Sequence, residues 1–460
     1  MGEGRGSIRS WFGGSEDRSR VLTMPVSEAF AFLAIPAVGS TLFSILFEIV
    51  DMFWAGKLGS RPVAALSVAS FFVWMLRALA QTVSTGAIAM ISRRTGERDT
   101  VRLVRTAVHA LTASVVFSIV VMAICFPLAS RIFLWIRLDR DVAGDALSYT
   151  VAFLSGLVFV YGMTTAEHIL RGMGNTRIPM LLMGFSLLLN AVLDPVFMFT
   201  FRMGLAGAAW ATVFSQAVGC LLMVAAIRRV LPEFSQGKPQ LSVPFFRDYF
   251  WPMVRIGSPV AMSGAGFSVI YLFLTAIISR FGSEPLAALG IGHRIEAFPF
   301  YVSFGFSLAT AALVGQNLGA RRFEQAKVSV HHSLRLASAI LFVFSVIFFF
   351  GAKPLYGFFI SDPVVIGHGV RYLRTIAVCE VFLGFEVILE GAFSGAGDTK
   401  PPFLVVFPIT FLRIPLSYIL GIRFGLGLQA VWGVISATTA VKGVLLWIWF
   451  RKDRWMRKAV

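Results

Sequence analysis

Asp51 and Asp194 each interrupt a long apolar run, and each has polar company at helical spacing. Asn190 precedes Asp194 by four residues, so on a helix the amide and the carboxylate share one face. Thr212 lies in the next apolar run, after Gly204. Measured from the nearest turn residues, the three stretches bring their polar groups to a common depth, roughly 8–12 Å below one surface at about 1.5 Å per residue. Two carboxylates, an amide oxygen and a hydroxyl make an oxygen-rich site for a hard cation such as Na⁺. The same two carboxylates, close together and out of water, can hold a proton instead. Pro195 has no N–H, so the carbonyl of Ala191 loses its helical partner and becomes available to an ion.

The elements that position such a site must be membrane helices. Of the 460 residues, 57% are hydrophobic and only 14% charged, against about 25% charged in soluble domains. Runs such as 106–126, 336–350 and 431–450 are nearly uncharged. A span needs about 20 such residues, which predicts about twelve spans. Backbone groups in hydrocarbon must be satisfied within the segment, so the spans are helices. The short alternating segments of a barrel are absent. The net charge of +17 reads as topology rather than as a nucleic-acid surface. Arg5, Arg9, Arg18 and Arg20, then Arg93, Arg94, Arg98, Arg102 and Arg105, then Arg451, Lys452, Arg454, Arg457 and Lys458 fall on one side. The opposite loops are poorer, with residues such as Lys57, Arg61, Arg137, Arg202 and Arg280. That excess places both termini in the cytoplasm of a multi-pass plasma-membrane protein. Residues 1–24 lack the apolar core of a signal peptide and are expected to form a mobile basic tail near anionic lipid.

The chain also repeats itself. At an offset of 223 residues, Pro36 meets Pro259, Gly59 meets Gly282, Gly96 meets Gly319 and Glu167 meets Glu390. Gly174 meets Gly397, Thr176 meets Thr399 and Gly204 meets Gly427 on the same offset. The expected fold is all-α, with two six-helix lobes related by a pseudo-two-fold axis along the membrane normal. The divisions are a tail (1–24), a first lobe (25–230), a cytoplasmic linker (231–250), a second lobe (251–450) and a basic tail (451–460). Two parallel repeats around a cavity suit alternating access. The repeat sharpens the site, because Asp51, Asn190, Asp194 and Thr212 stand opposite Leu274, Arg413, Ser417 and Ile435. All four polar groups belong to the first lobe alone.

Several motifs together carry a family resemblance. They are Asp51 with Gly56-Lys57-Leu58-Gly59, then Arg171-Gly172-Met173-Gly174-Asn175-Thr176-Arg177 and its copy Ser394-Gly395-Ala396-Gly397-Asp398-Thr399-Lys400. To these add Asn190 to Pro195, Gly204 to Ala209, and Gly315-Gln316-Asn317-Leu318-Gly319-Ala320. Over residues 25–450 the set resembles the multidrug and toxic compound extrusion (MATE) family of antiporters, most of all its archaeal and DinF-like branches. The resemblance implies a V-shaped cavity between lobes and places the first-lobe cation site at Asp51, Asn190, Asp194 and Thr212. It implies exchange of Na⁺ or H⁺ for small amphipathic, mostly cationic compounds, with no cofactor. The family's other branch uses acids on helices 7 and 10. Helix 7 has none here, and Glu386 is the candidate second-lobe acid.

Other residues carry lesser expectations. Glu48, one turn before Asp51, either touches cationic substrate or pairs with Arg77. Met180, Met183 and Ala208 are candidate pocket residues. Glu167 and Glu390 read as structural, and the six histidines as helix-end residues. Cys125, Cys220 and Cys379 show no metal or redox spacing. The glycine-rich loops before Thr176 and Thr399 lack phosphate-loop spacing and read as helix ends. With no nucleotide site and no nucleophile–base set, the chain is expected to be an ion-driven transporter rather than an enzyme, and a monomer. Two alternatives stand beside antiport: a flippase for lipid-linked precursors, and a membrane receptor or scaffold.

Overall fold

The computed structural model describes residues 20–135, 140–237 and 241–458, so Arg5, Arg9, Arg18 and Arg137 lie outside the described residues. The first lobe holds α1 (Val26–Leu58), α2 (Ser60–Glu97), α3 (Thr100–Trp135), α4, α5 and α6 (Leu205–Val230). Helix α4 is broken into Arg140–Ser155 and Leu157–Gly172 with a bend of 55°. Helix α5 (Arg177–Pro195) continues as a wide π-helical turn over Val196–Thr200. The second lobe holds α7 (Trp251–Ile278), α8 (Ser283–Gly319), α9 (Phe323–Phe359), α10 (Pro363–Ala377 and Glu380–Ala396), α11 (Lys400–Ser417, then a wide turn over Tyr418–Arg423) and α12 (Leu428–Phe450). Ten helices are long and apolar enough to cross a membrane in one piece, and α4 qualifies as a bent pair. The architecture is the twelve-helix, two-lobe arrangement expected from the sequence.

The irregularities repeat as faithfully as the helices do. The break at Gly156 in α4 and the break at Cys379 in α10 stand at equivalent positions. So do the wide turns that follow Pro195 and Ser417. A proline removes a backbone donor, and the lost register is taken up by a turn of larger radius. Here Phe201 N donates to Val196 O at 3.0 Å, and Phe424 N donates to Ile419 O at 2.9 Å.

The lobes meet on the side that carries both termini. A Cβ at Gly96 of α2 would lie 2.0 Å from the Gln316 carbonyl oxygen of α8, and one at Gly319 of α8 would lie 2.1 Å from the Arg93 carbonyl oxygen of α2. These are the two halves of one contact, since Gly96 and Arg93 are the repeat partners of Gly319 and Gln316. Only glycine lets the backbones approach this closely. Phe30 of α1 packs edge-on against Phe306 of α8 with ring centroids 5.2 Å apart. Thr41 Oγ1 donates to the Tyr301 carbonyl at 2.9 Å. Further along α1, Leu46, Glu48, Ile49 and Phe53 are exposed, as are Phe71 and Trp74 of α2 and Phe298 and Phe300 of α8. The lobes therefore close at the terminus side and part at the other.

Both chain ends reach across this closure, which corrects the expectation of a free tail up to residue 24. Val21 and Leu22 are buried, Val21 within the second lobe's core, and Arg322 Nη1 donates to the Leu22 carbonyl at 2.5 Å. Apolar burial at Val21 and Leu22 holds what the arginines alone would leave in water. At the other end Trp455 stacks on Phe450 at 5.1 Å, and Arg93 Nη1 donates to the Lys458 carbonyl at 2.6 Å. Within the expected linker 231–250, helical structure leading into α7 begins at Val243, where Ser242 caps the first turn.

Candidate ion site of the first lobe

The structure brings Asp51, Asn190, Asp194 and Thr212 into one buried cluster. Asn190 and Asp194 lie one helical turn apart on α5, and Asn190 Nδ2 donates to Asp194 Oδ1 at 3.1 Å. The same amide lies 3.3 Å from Thr212 Oγ1 on α6. The Thr212 hydroxyl in turn donates to Asp51 Oδ2 on α1 at 3.4 Å. Asn190 and Asp194 are 0% exposed and Asp51 is 8% exposed, so the cluster is cut off from bulk water. Asp51 Oδ1, Asn190 Oδ1 and Asp194 Oδ2 have no hydrogen-bond partner among the described residues. Buried polar atoms are seldom left unpaired in native proteins. Three such oxygens in one cluster, two of them on carboxylates, have the chemistry to take a hard cation or a proton.

Sequence reasoning missed Tyr149. Its hydroxyl, on the first half of α4, donates to Asp51 Oδ2 at 3.4 Å. Its repeat partner is also a tyrosine, Tyr372, so asymmetry between the halves passed over it. The signal available was a lone tyrosine in the far half of helix 4.

The equivalent place in the second lobe is filled by a fixed cation. Arg413 stands where Asn190 stands in the first lobe and is 2% exposed. It donates to Thr438 Oγ1 at 2.8 Å, Thr439 Oγ1 at 2.7 Å, the Tyr271 hydroxyl at 3.0 Å and the Ile435 carbonyl at 3.3 Å. Glu386, the expected second-lobe acid, is buried in an ion pair with Lys442 at 2.6 Å. Its charge is thereby matched by a lysine that lies inside the apolar run of α12.

The remaining candidates separate. Glu48 is exposed and accepts from the Trp74 indole at 3.2 Å. Arg77 and the second lobe's Tyr301 both lie within electrostatic reach of it, so Glu48 faces the gap between lobes. Ala208, expected to line a pocket, is 0% exposed in this conformation and packs in the apolar core among α2, α4 and α6. Met183 packs on the first lobe's core, and Met180 fills the groove over Gly39 of α1. Glu167 pairs with Arg171, which also donates to Ser40 Oγ at 2.6 Å. His293 is not a helix-end residue: it lies inside α8, its ring 4.9 Å from Tyr271. The loops before α5 and α11 are helix ends, with Gly174 and Gly397 at positive φ. Thr399 Oγ1 donates across to the Ile256 carbonyl of α7 at 2.5 Å.

Comparison with known proteins agrees with the two-repeat fold. The family model described as MatE matches twice, over residues 36–196 and 259–419, which are the two repeats at their offset. The chain is 27% identical over 434 residues to the "Probable multidrug resistance protein NorM" of Thermotoga maritima, covering 93% of each. It is 20% identical over 436 residues to the "Multidrug export protein MepA" of Staphylococcus aureus, covering 94% of this chain and 95% of that protein. Among solved structures, a multidrug resistance transporter in an outward-facing conformation superposes with a TM-score of 0.86 at 24% identity, over 96% of this chain and 98% of that one. A Pyrococcus furiosus transporter, whose structure was described in terms of a binding pocket of reverse polarity, superposes equally well, with a TM-score of 0.86 at 24% identity over 96% and 98%.

Proposed function

This chain belongs to the MatE family of membrane transporters, and on that premise we propose that it is a cation-coupled antiporter. It exports small amphipathic, mostly cationic compounds across the plasma membrane, with both termini in the cytoplasm. The observation that supports this reading most is the cluster of three partnerless oxygens on Asp51, Asn190 and Asp194, confined to the first lobe. The closed terminus side then corresponds to an outward-open state.

The coupling follows from which helix carries Asp51. Helix α1 packs against α5 of its own lobe and against α8 of the other. An ion or proton entering from outside neutralises charge between α1, α5 and α6, and so changes how α1 sits on both neighbours. Glu48 and Trp74 offer an organic cation a carboxylate and an aromatic face, with Glu48 two turns along α1 from the Thr41–Tyr301 contact between lobes. Influx of one cation and export of the other are linked when the two compete for the same state. That requires a difference in affinity between the outward- and inward-open states.

The test is efflux of a fluorescent organic cation from proteoliposomes under an imposed Na⁺ gradient or an imposed pH gradient. Efflux driven by either gradient supports antiport and names the ion. Folded protein inactive under both gradients removes the reading.

A further inference from the structure

Two arginines stand one turn apart on the first half of α10 with no acid to meet them. Arg371 and Arg374 are exposed, and with Thr375 and Gln429 they line a cleft of about 480 Å³ to which no carboxylate contributes. The Arg371 guanidinium makes no hydrogen bond or ion pair with the described residues. Arg374 Nε donates to the Phe349 carbonyl of α9 at 3.1 Å, and its guanidinium lies 5.7 Å from the Phe349 ring. Both of its Nη groups are left without a partner among the described residues. At the offset of 223 residues the four lining positions stand opposite Ser148, Val151, Ala152 and Ala206, so the first lobe has no counterpart. We propose that this cleft binds the phosphate of an anionic membrane phospholipid.

Three helices fix the level of the cleft in the membrane. The uncharged run of α9 ends at Phe350, and Lys353 follows it. Gln429 is the second residue of α12 and just precedes the apolar run 431–450. Gln429 Nε2 donates to Thr375 Oγ1 at 2.8 Å, so Thr375 of α10 sits at that same level. The two arginines therefore stand where hydrocarbon gives way to headgroups, on the side opposite the termini. One turn beyond Arg374 on the same face of α10 comes Val378, which is 70% exposed. Phe349 and Phe350 of α9 add exposed aromatic surface. A cationic head above an apolar flank matches a phospholipid, whose phosphate takes paired N–H donors from a guanidinium fork and whose acyl chains lie along the flank. Unmatched cations at the edge of hydrocarbon are costly, and a lipid phosphate supplies the missing charge. Two arginines without an acid also favour a headgroup of net negative charge over a zwitterionic one, whose ammonium they repel.

The lipid site does not depend on antiport, and binding alone tests it. Purified full-length protein in dodecyl maltoside is titrated with dioleoyl-phosphatidylglycerol, and bound lipid is counted by native mass spectrometry. The expected result is saturable binding, at least fivefold tighter than that of dioleoyl-phosphatidylcholine. Arg371→Gln alone, which removes no contact within the protein, weakens binding at least threefold. Arg371→Gln combined with Arg374→Gln weakens it at least tenfold. Arg280→Gln combined with Arg423→Gln, which removes the same charge elsewhere on that side, leaves it unchanged. Size-exclusion chromatography establishes that each variant is folded. Equal losses in the two double variants, equal binding of the two lipids, or displacement of the lipid by millimolar inorganic phosphate overturns the proposal.

Discussion

Asn190 and Arg413 occupy the same place in the two repeats and hold opposite chemistry. Asn190 turns its amide to Asp194 and Thr212 and keeps a free carbonyl oxygen in the cluster. Arg413 reaches the corresponding point on α12, donating to the carbonyl of Ile435, the repeat partner of Thr212. One lobe leaves carboxylate and amide oxygens without a partner, and the other has a permanent cation built in. Arg413→Gln therefore leaves Thr439 and Tyr271 short of a donor, at a cost of about 1–3 kcal/mol. A lower unfolding temperature in detergent, with no gain of Na⁺-dependent stabilisation, is the expected outcome. A new Na⁺ response would show that the guanidinium masks an ion site.

Tyr149 holds Asp51 by one long hydrogen bond. Tyr149→Phe keeps the ring packed and removes only the hydroxyl. A net contribution of about 1 kcal/mol corresponds to a change of roughly fivefold. The expected effect is a shift of that size in the concentration of coupling ion giving half-maximal efflux, with the maximal rate little changed. Dose–response curves in proteoliposomes measure it.

Glu386 and Lys442 are a buried pair, and breaking it from one side strands a charge. Lys442→Met alone is expected to destabilise the second lobe by about 3–5 kcal/mol. Combining it with Glu386→Leu removes both charges and recovers most of the loss. Thermal unfolding of the single and double variants, compared as a cycle, checks this. Equal losses in the two would show that packing, not charge, holds this part of α10 to α12.

The reciprocal contact of Gly96 with Gln316 and of Gly319 with Arg93 closes the terminus side. Gly319→Val places a branched side chain against the Arg93 backbone, where a Cβ alone would sit 2.1 Å from its carbonyl. The variant is expected to favour the state open at the terminus side and to lower efflux several-fold. A cysteine at Ala320 reports the shift through faster labelling by a membrane-impermeant maleimide. Unchanged labelling with full activity would mean that the contact does not gate the closure.

Much of this arrangement was legible in the sequence because it rests on local rules. Apolar runs announce spans, and an unbroken offset announces two lobes. Four polar residues lacking counterparts announce the ion cluster. What was not legible depends on tertiary contact. Tyr149 was hidden by its own twin, Tyr372. Ala208 looked like a lining residue but sits where α6 packs closely within its lobe. Lys442 is the one charged residue in the apolar run 431–450, a signal passed over, and only the fold shows that it lies against Glu386. Val21 and Leu22 read as the end of a basic tail until the second lobe supplied a surface to bury them.

The most direct test of the first-lobe site is Asp194→Asn, assayed for gradient-driven efflux at matched reconstitution and for equilibrium binding of the same organic cation. The variant is expected to fold and still bind the compound. Its efflux under the driving gradient is expected to fall at least tenfold. Full gradient-driven efflux by the folded variant would contradict the assignment of the coupling ion to Asp51 and Asp194.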